Sequence, residues 1–300
     1  LAKGEGLSQH YEPVIGDFFQ DPRRVQPTRP PVPTVRRPVG YPLFLALLFR
    51  LVGFRLVPVL MVQVLLSAVS TLLVYLIARQ IGSPRFAMIP YALSVVYYPF
   101  WFQAALLLSE TLLIFTTLLA LYGMIRWLVH PTIQRAWWTG VAVGASYLVK
   151  TILVPFVPLF LVAAYRYHRR LGMPRASVMG AGAMAGAIAL VLAPLVARNY
   201  VRSGRWLVTP PQVGHQLIQI HNAYNPTFES FEPPGFVNEG YEGLQRAKAE
   251  ARPALPPGTP PALAEILIDD AYRRASLAFI AADPAHFVNG LWRAFWNMWR

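Results

Sequence analysis

The sequence predicts an all-α, polytopic transmembrane protein with a large segment outside the membrane. Three observations predict this class. Hydrophobic residues make up 55% of the 300-residue chain, only 14% of its residues are charged, and its mean hydropathy is +0.40. A soluble domain carries about 25% charged residues. The apolar residues also gather in runs close to the length of a membrane-spanning helix, chiefly between residues 57 and 201.

Residues 1–56 are predicted to form an extracytoplasmic loop that ends in an interfacial helix. Residues 1–35 are polar and rich in proline, which disfavours the interior of helices and strands. The apolar run that follows, LFLALLFRLVGF, is about 12 residues long and contains Arg50. Because this run is too short to cross a bilayer, we expect a helix that lies at the membrane surface.

Residues 57–201 are predicted to form a transmembrane bundle of about six spans. One helix over 136–165 would be about 45 Å long at 1.5 Å per residue, too long for one crossing. Lys150, Pro155 and Pro158 offer a turn, so two short helices are favoured there. The expected spans are 57–78, 86–103, 106–125, 136–149, 151–165 and 177–197.

The loops between these spans predict the orientation of the bundle. The loops after the first, third and fifth spans carry arginines, whereas Lys150 is the only cation in the alternate short loops. Cytoplasmic loops carry the excess of Lys and Arg, so we assign the Arg-rich loops to the cytoplasm and expect insertion in the plasma (inner) membrane. These arginines are Arg79, Arg85, Arg126, Arg135, Arg166, Arg169, Arg170 and Arg175.

Residues 202–285 are predicted to form an extracytoplasmic segment. Residues 203–261 are rich in proline and are expected to be loop. Apolar residues then recur with helical spacing over 261–282, which predicts an amphipathic helix that ends before Asp283 and Pro284. Residues 286–300 are expected to start a further helix.

Composition and motifs exclude several functional classes. The chain has no cysteine, so it has neither a disulfide framework nor thiolate chemistry. Its net charge of +13 is spread over loops on both sides of the membrane, which favours anionic lipids rather than nucleic acid as partners. Walker, GxSxG, HExxH and dinucleotide-binding motifs are absent, and no metal site is predicted.

Glycines recur in two of the predicted spans. Gly140 and Gly144 lie in one, and Gly180, Gly182 and Gly186 lie in the other. Small residues at such spacing are typical of close packing between membrane helices.

Glu110 and Lys150 are the only acid and the only lysine between residues 57 and 201. An ionisable group at membrane depth costs about 2.5–3.5 kcal/mol on insertion scales, so each residue marks a candidate site. The span count puts both at the extracytoplasmic face, together with Arg37 and Arg198. Glu110 could polarise a substrate hydroxyl, or it could simply be an interfacial acid stabilised by a helix N-terminus.

Arg37 and Arg198 are candidate phosphate-binding residues, because the planar guanidinium group suits phosphate oxygens. Either side chain could instead extend to lipid headgroups, as arginines at helix ends commonly do. His215, His221 and Asn222 lie in GHQLIQIHNAYNP, just beyond Arg198, and are candidate substrate-binding residues. A loop histidine bonded only to backbone is the alternative, and the histidine spacing fits no standard zinc pattern.

Five segments, taken in chain order, resemble the integral-membrane glycosyltransferases of the class C fold. The resemblance is to the group that contains the protein O-mannosyltransferases and the bacterial lipid A and envelope sugar transferases. It covers residues 36–205, and ASLAFIAADPAHFVNGLWRAFW is similar to the family's second large loop and the helix after it. The five segments are RRPVGYPLFLALLF, VYLIARQIGS, SETLLIFTTLLALYGM, GVAVGASYLVKTILVP and APLVARNYVRSGRW.

The resemblance implies transfer of a sugar from a polyprenyl-phosphate donor to a lipid, glycan or protein acceptor at the outer membrane face. A carboxylate would deprotonate the acceptor hydroxyl, and cations would stabilise the departing lipid phosphate. By motif, Arg37 is the basic residue before Pro-x-x-Tyr, and Tyr41 is the tyrosine of that motif. Glu110 is the acid at the outer end of the third span, Lys150 ends Leu-x-Lys, and Arg198 lies in P-x-x-x-R-N. The lipid-linked sugar is the implied donor, and a need for a divalent metal stays open.

The sequence departs from the family pattern at its start. The main catalytic Asp of the family normally follows the first transmembrane helix, and LAKGEGLS resembles the stretch after that Asp. We therefore expect that helix and that Asp upstream of Leu1. Glu12, Asp17 and Asp21 lie in the same loop, but none of them matches the motif.

Two other functions remain open from the sequence. The first is a transporter or flippase for an anionic lipid-linked substrate, although such proteins usually contain two matching halves with broken helices, and no such repeat is found. The second is a structural envelope protein, which would not require charged residues to converge at one face.

Overall fold

The computed structural model describes residues 8–9, 32–224 and 239–297, and over these residues the chain is all-α, as predicted. Twelve α-helices make up most of it. In the described part, β structure is limited to a two-residue antiparallel pairing between β1 (Ser8–Gln9) and β2 (Val32–Pro33). Glu12, Asp17 and Asp21, the acids of the first predicted loop that do not match the family motif, lie outside the described residues.

The chain divides into two compact units, which are described separately. Within the described residues, the first unit runs from Pro38 to Arg198. The second contains β1, the stretch from β2 to Arg37, and the described residues from Asn199 onward. This division reflects packing, so the membrane compartments assigned from the sequence stay predictions.

The first unit contains seven complete helices and most of an eighth, α8, whose end belongs to the second unit. Three of the eight, α2, α5 and α8, are long and apolar enough to cross a membrane, by length and composition. A 3₁₀ turn, Thr151–Leu153, follows Lys150, so the two short helices expected on either side of that lysine are confirmed. The helices are α1 (Gly40–Val52), α2 (Leu56–Ile81), α3 (Pro84–Val96), α4 (Tyr98–Ala104), α5 (Ser109–Val129), α6 (Ile133–Val149), α7 (Phe156–Arg170) and α8 (Pro174–Ser203).

The prediction of one helix over 86–103 is wrong. α3 ends at Val96, Tyr97 is extended with φ −71° and ψ 101°, and α4 begins at Tyr98. Pro99 explains the break, because proline has no N–H to bond the carbonyl four residues earlier and its ring clashes with that carbonyl. The carbonyl oxygen of Val95 instead accepts the indole N–H of Trp101 at 2.6 Å.

α2 has the surface expected of a helix surrounded by lipid. Its buried residues include Gln63, Ser67 and Ser70, whereas Met61 is 66% exposed and Leu65 is 62% exposed. Polar residues inside and apolar residues outside would be unfavourable in water but are favourable in hydrocarbon. The arrangement supports the assignment of the chain as an integral membrane protein.

α6 and α8 pack with their backbones in contact. A Cβ atom added at Gly140 would lie 2.4 Å from the carbonyl oxygen of Met184, which real Cβ atoms do not tolerate. The close packing predicted for this glycine is therefore confirmed. It is wrong for Gly182. In the described part of the chain, a Cβ atom added at Gly182 would meet nothing within 4 Å.

The second unit contains α9 (Val213–Ile220), α10 (Glu239–Ala251), α11 (Pro261–Ala282) and α12 (Pro284–Asn297). The helix predicted over 261–282 is confirmed with both ends as expected. The expectation of loop over 203–261 is wrong for α9 and α10. These two helices are stabilised by tertiary burial, since Ile218 and Ala247 pack with Tyr272 of α11 in one apolar cluster.

Candidate functional site

Glu110 and Lys150 form an ion pair at one end of the first unit. Glu110 lies in the first turn of α5, and Lys150 directly follows the last residue of α6. The Lys150 Nζ atom lies 2.5 Å from Glu110 Oε1, and the Ser109 hydroxyl donates to Glu110 Oε2 at 3.2 Å. A helix N-terminus stabilises an acid and a helix C-terminus stabilises a cation, so each residue type suits its position.

Both side chains of this pair remain accessible. The exposed fraction is 39% for Lys150 and 33% for Glu110. An ammonium group has three N–H donors, and among the described residues Lys150 uses one of them on Glu110. The pair can therefore present a cation to an anionic ligand while a carboxylate holds that cation in place.

Tyr41, in the first turn of α1, lies beside the ion pair. Its hydroxyl donates to Gln63 Oε1 at 2.8 Å. Burial raises the pKa of the Tyr41 hydroxyl, and the negative charge of Glu110 raises it further. Tyr41 is therefore a neutral phenol at physiological pH, with its proton directed at Gln63.

Gly40 allows α1 to approach the end of α6. A Cβ atom at Gly40 would lie 2.6 Å from the carbonyl carbon of Leu148 and 2.7 Å from the backbone nitrogen of Val149. A larger residue would force the two backbones apart. The start of α1 is thus packed on the Leu148–Val149 peptide, one residue before Lys150.

Sequence reasoning missed Gln63, which is fully buried on α2. Its side-chain Nε2 donates to the carbonyl oxygen of Leu106, in the turn before α5, at 2.5 Å and to that of Ala104, the last residue of α4, at 3.3 Å. The available signal was an amide side chain eight positions into a 26-residue apolar helix, far from the helix end where Gln80 lies. Such a group needs partners inside the bundle, because lipid offers none.

Arg37 and Arg198 lie in different units. Arg198 is half-buried near the end of α8 and is the last residue of the first unit. Arg37 is exposed and ends the stretch of the second unit that begins at β2. The structure joins Glu110 to Lys150, whereas one cavity shared by all four residues stays a prediction.

His215 lies in helix α9, not in a loop, and pairs with Asp269 of α11. Its backbone N–H and its ring Nδ1 each lie 2.9 Å from Asp269 Oδ1. Burial alone would raise the pKa of Asp269, but the hydrogen bonds from His215 and from the Gly214 backbone outweigh burial and lower it. Asp269 was not singled out from the sequence, because its partner is 54 residues away along the chain.

His221 and Asn222 follow α9 and line a cavity of about 300 Å³ in the second unit. The Asn222 amide nitrogen donates to the Ile218 carbonyl at 2.7 Å, and its oxygen accepts the Tyr224 N–H at 2.9 Å. The polar atoms of Asn222 are thus used in backbone hydrogen bonds at the C-terminal end of α9. Burial lowers the pKa of His221, whose ring meets the Phe287 ring edge-on at 5.1 Å.

The family of the chain follows from the region that holds the ion pair. Residues 36–196 match the family described as dolichyl-phosphate-mannose-protein mannosyltransferase, and this range is more than half of the chain. The chain belongs to this mannosyltransferase family. Its members are membrane glycosyltransferases, and the matched range contains Tyr41, Glu110 and Lys150 but ends before Arg198. No curated protein and no solved structure matches the chain.

Proposed function

We propose that the protein transfers a sugar from a polyprenyl-phosphate donor to a lipid, glycan or protein acceptor at the extracytoplasmic face of the plasma membrane. The Glu110–Lys150 pair carries this proposal, because it lies at the end of an apolar bundle and within the family-matched range. A polyprenyl phosphate joins a long apolar tail to an anionic head. Helices with apolar outer faces suit the tail, and an accessible ammonium group beside them suits the head.

Lys150 is proposed to bind the phosphate of the donor. Its remaining N–H donors would stabilise the negative charge that grows on the phosphate as the bond to the sugar breaks. Arg37 and Arg198 are proposed to add charge-assisted contacts, for which the planar guanidinium group is well shaped. His215 and His221 stay candidates for substrate contacts in the second unit.

Glu110 is proposed to hold Lys150 in position and to contact the acceptor hydroxyl. Both of its carboxylate oxygens already accept hydrogen bonds, one from Lys150 and one from Ser109. These contacts weaken a carboxylate as a base, so Glu110 fits an orienting role better than that of the main base. The family resemblance gives the latter role to an Asp. Among the described residues, no group of three or more His, Asp or Glu side chains is arranged to hold a metal ion.

Reconstituted transfer activity tests the proposal. The full-length protein is placed in liposomes with polyprenyl-phosphate-linked radiolabelled mannose, and other linked hexoses and pentoses are compared. We expect Lys150→Met and Arg198→Ala each to lower turnover roughly 10²–10³-fold, the usual effect of removing one contact to a transition-state charge. Arg198→Lys should recover only part of the activity, because a point charge replaces a planar fork.

Arg169→Ala is the matched control, because Arg169 is an exposed arginine of α7 in a predicted cytoplasmic loop. It should leave turnover nearly unchanged. Full activity in both Lys150→Met and Arg198→Ala would show that they do not bind the phosphate. Movement of the lipid donor across the bilayer without any sugar transfer would support a transporter and overturn the proposed function.

A further inference from the structure

The Glu110–Lys150 pair is part of a closed ring of contacts. Gly40 packs on the peptide before Lys150, and Lys150 bonds to Glu110 at the start of α5. Residues 104–108, which are the last residue of α4 and the turn before α5, are held by the Gln63 amide. The same amide bonds to Tyr41, the residue after Gly40. Gln63 is thus a buried side chain that ties α1 to the turn leading into α5.

The partners of Gln63 fix the orientation of its amide. Two carbonyl oxygens, from Ala104 and Leu106, face one end of the amide, and only the NH₂ group can bond to them. The amide oxygen must then face Tyr41, and the Tyr41 hydroxyl must donate to it. The reverse orientation would put three oxygen atoms together and remove the Gln63 donor from both backbone carbonyls, although Leu106 would still accept the Leu108 N–H at 2.8 Å.

This orientation determines what Tyr41 can offer to a ligand. With its proton committed to Gln63, the phenol oxygen has only lone pairs left. Tyr41 then cannot donate to a phosphate, but it can accept a hydrogen bond from a hydroxyl group. The sequence-based expectation grouped Tyr41 with the phosphate-binding residues, whereas this geometry suits a sugar or acceptor hydroxyl.

We infer that Gln63 is a positioning residue of the proposed transferase site, which fixes the turn that carries Glu110 and makes Tyr41 an acceptor for a substrate hydroxyl. The inference rests on the proposed function. It names a residue that touches neither the Glu110–Lys150 pair nor, by its complete burial, the substrate.

Gln63→Glu tests the inference through pH. While the introduced carboxyl is protonated, it can donate to the Leu106 carbonyl and accept from Tyr41, as the amide does. Once ionised it cannot donate, and the turn loses its anchor. Burial raises the pKa of a carboxyl, and values of about 8–9 are documented for fully buried ones. We therefore expect the activity of the variant, divided by that of the wild type, to fall about tenfold or more between about pH 6 and pH 9.

Dividing the activity of the variant by that of the wild type cancels the effect of groups that titrate in both proteins. Within residues 32–224 and 239–297, the titratable groups that face position 63 are Tyr41, which touches it, and the Glu110–Lys150 pair next to Tyr41. The turn residues 104–108 are all alanine or leucine. Gln63→Leu should be impaired equally at every pH, because it can make neither contact.

Ser70→Ala is the matched control. Ser70 is another buried polar residue of α2, but its hydroxyl bonds to the Leu66 carbonyl of the same helix. Its activity ratio should stay near one at every pH. A Gln63→Glu ratio that is also near one throughout would overturn the inference, as would a loss in Ser70→Ala as large as that in Gln63→Leu.

Thiol labelling supplies a readout that does not depend on transfer. The chain has no cysteine, so a single Leu108→Cys substitution in the turn gives one reactive site. Gln63→Leu should increase its labelling rate about tenfold by releasing the turn, and Ser70→Ala should not. Equal rates in both backgrounds would refute the anchoring role. Faster labelling in Gln63→Leu together with an inactive wild type would refute the proposed function alone.

Discussion

The fold brings together two pairs of charged or titratable side chains whose members are far apart in the sequence. Glu110 and Lys150 are 40 residues apart, and His215 and Asp269 are 54 residues apart. The first pair could be anticipated, because both residues were rare charges assigned to the same membrane face. The second pair could not, since its members belong to different helices of a charged segment and nothing in their spacing predicts contact.

Asp269 is expected to make the stability of the second unit depend on acid pH. Hydrogen bonds lower the folded-state pKa of Asp269 below its ordinary value of 3.8. Its stabilising contribution is therefore fully present above about pH 3.8 and is lost as pH falls through the lower folded value. Asp269→Asn should remove this dependence and cost about 1–3 kcal/mol at neutral pH.

A label on a cysteine at Gln216, an exposed position of α9, would follow unfolding of the full protein between about pH 6 and pH 2. Asp270→Asn is the control, because Asp270 is the neighbouring acid and makes a partly exposed pair with Arg273. Such pairs contribute about 0–1 kcal/mol, so its effect should be small. Equal losses in the two variants would contradict the role given to Asp269.

Apolar spacing predicted the positions of several helices. It predicted helix breaks and contacts between helices less well. The helix over 261–282 and the turn at Lys150 were predicted from periodicity and proline positions. The break at Tyr97 was missed, although Pro99 was a visible signal. α9 and α10 were missed because their stability comes from burial against α11, which periodicity in short polar segments does not reveal.

Gly140 and Gly182 should respond oppositely to alanine. Gly140→Ala places a methyl group against the Met184 carbonyl, so we expect a loss of about 1–3 kcal/mol from overpacking between α6 and α8. Gly182→Ala meets open space on α8 and should gain about 0.5–1 kcal/mol, because alanine is the better helix former. The two variants are compared by thermal unfolding in one detergent. A Gly140→Ala variant as stable as Gly182→Ala would show that the two helices are not in backbone contact.

At the scale of the whole molecule, its family and membrane character rest on the first unit. The family match covers residues 36–196, all but the first two of which belong to the first unit, and the outward-facing apolar side chains of α2 belong to the same unit. Sidedness rests on the distribution of arginines alone. The sequence could predict it because the positive-inside bias is a property of loops, whereas Gln63 could be understood only once its three oxygen partners were known.

Cysteine labelling in intact cells is expected to show opposite accessibility for the end of α2 and for the segment that follows α8. Gln80→Cys lies in the last turn of α2, near the predicted cytoplasmic face, and Arg205→Cys lies beyond α8, near the predicted outer face. A membrane-impermeant maleimide should label Arg205→Cys directly, and Gln80→Cys only after permeabilisation. Labelling of both from outside would reverse or abolish the predicted orientation.

The outward apolar face of α2 has a thermodynamic consequence. When a soluble protein unfolds, buried apolar surface enters water, and the heat capacity rises by about 12–15 cal/mol/K per residue. Residues such as Met61 and Leu65 are already exposed on the outer surface of α2, where a membrane or a micelle would cover them with lipid or detergent rather than water. Unfolding within a micelle transfers little new apolar surface to water, so the heat capacity increment of the first unit should be smaller. Its stability should then vary with temperature along a flatter curve than that of a water-soluble domain of equal length.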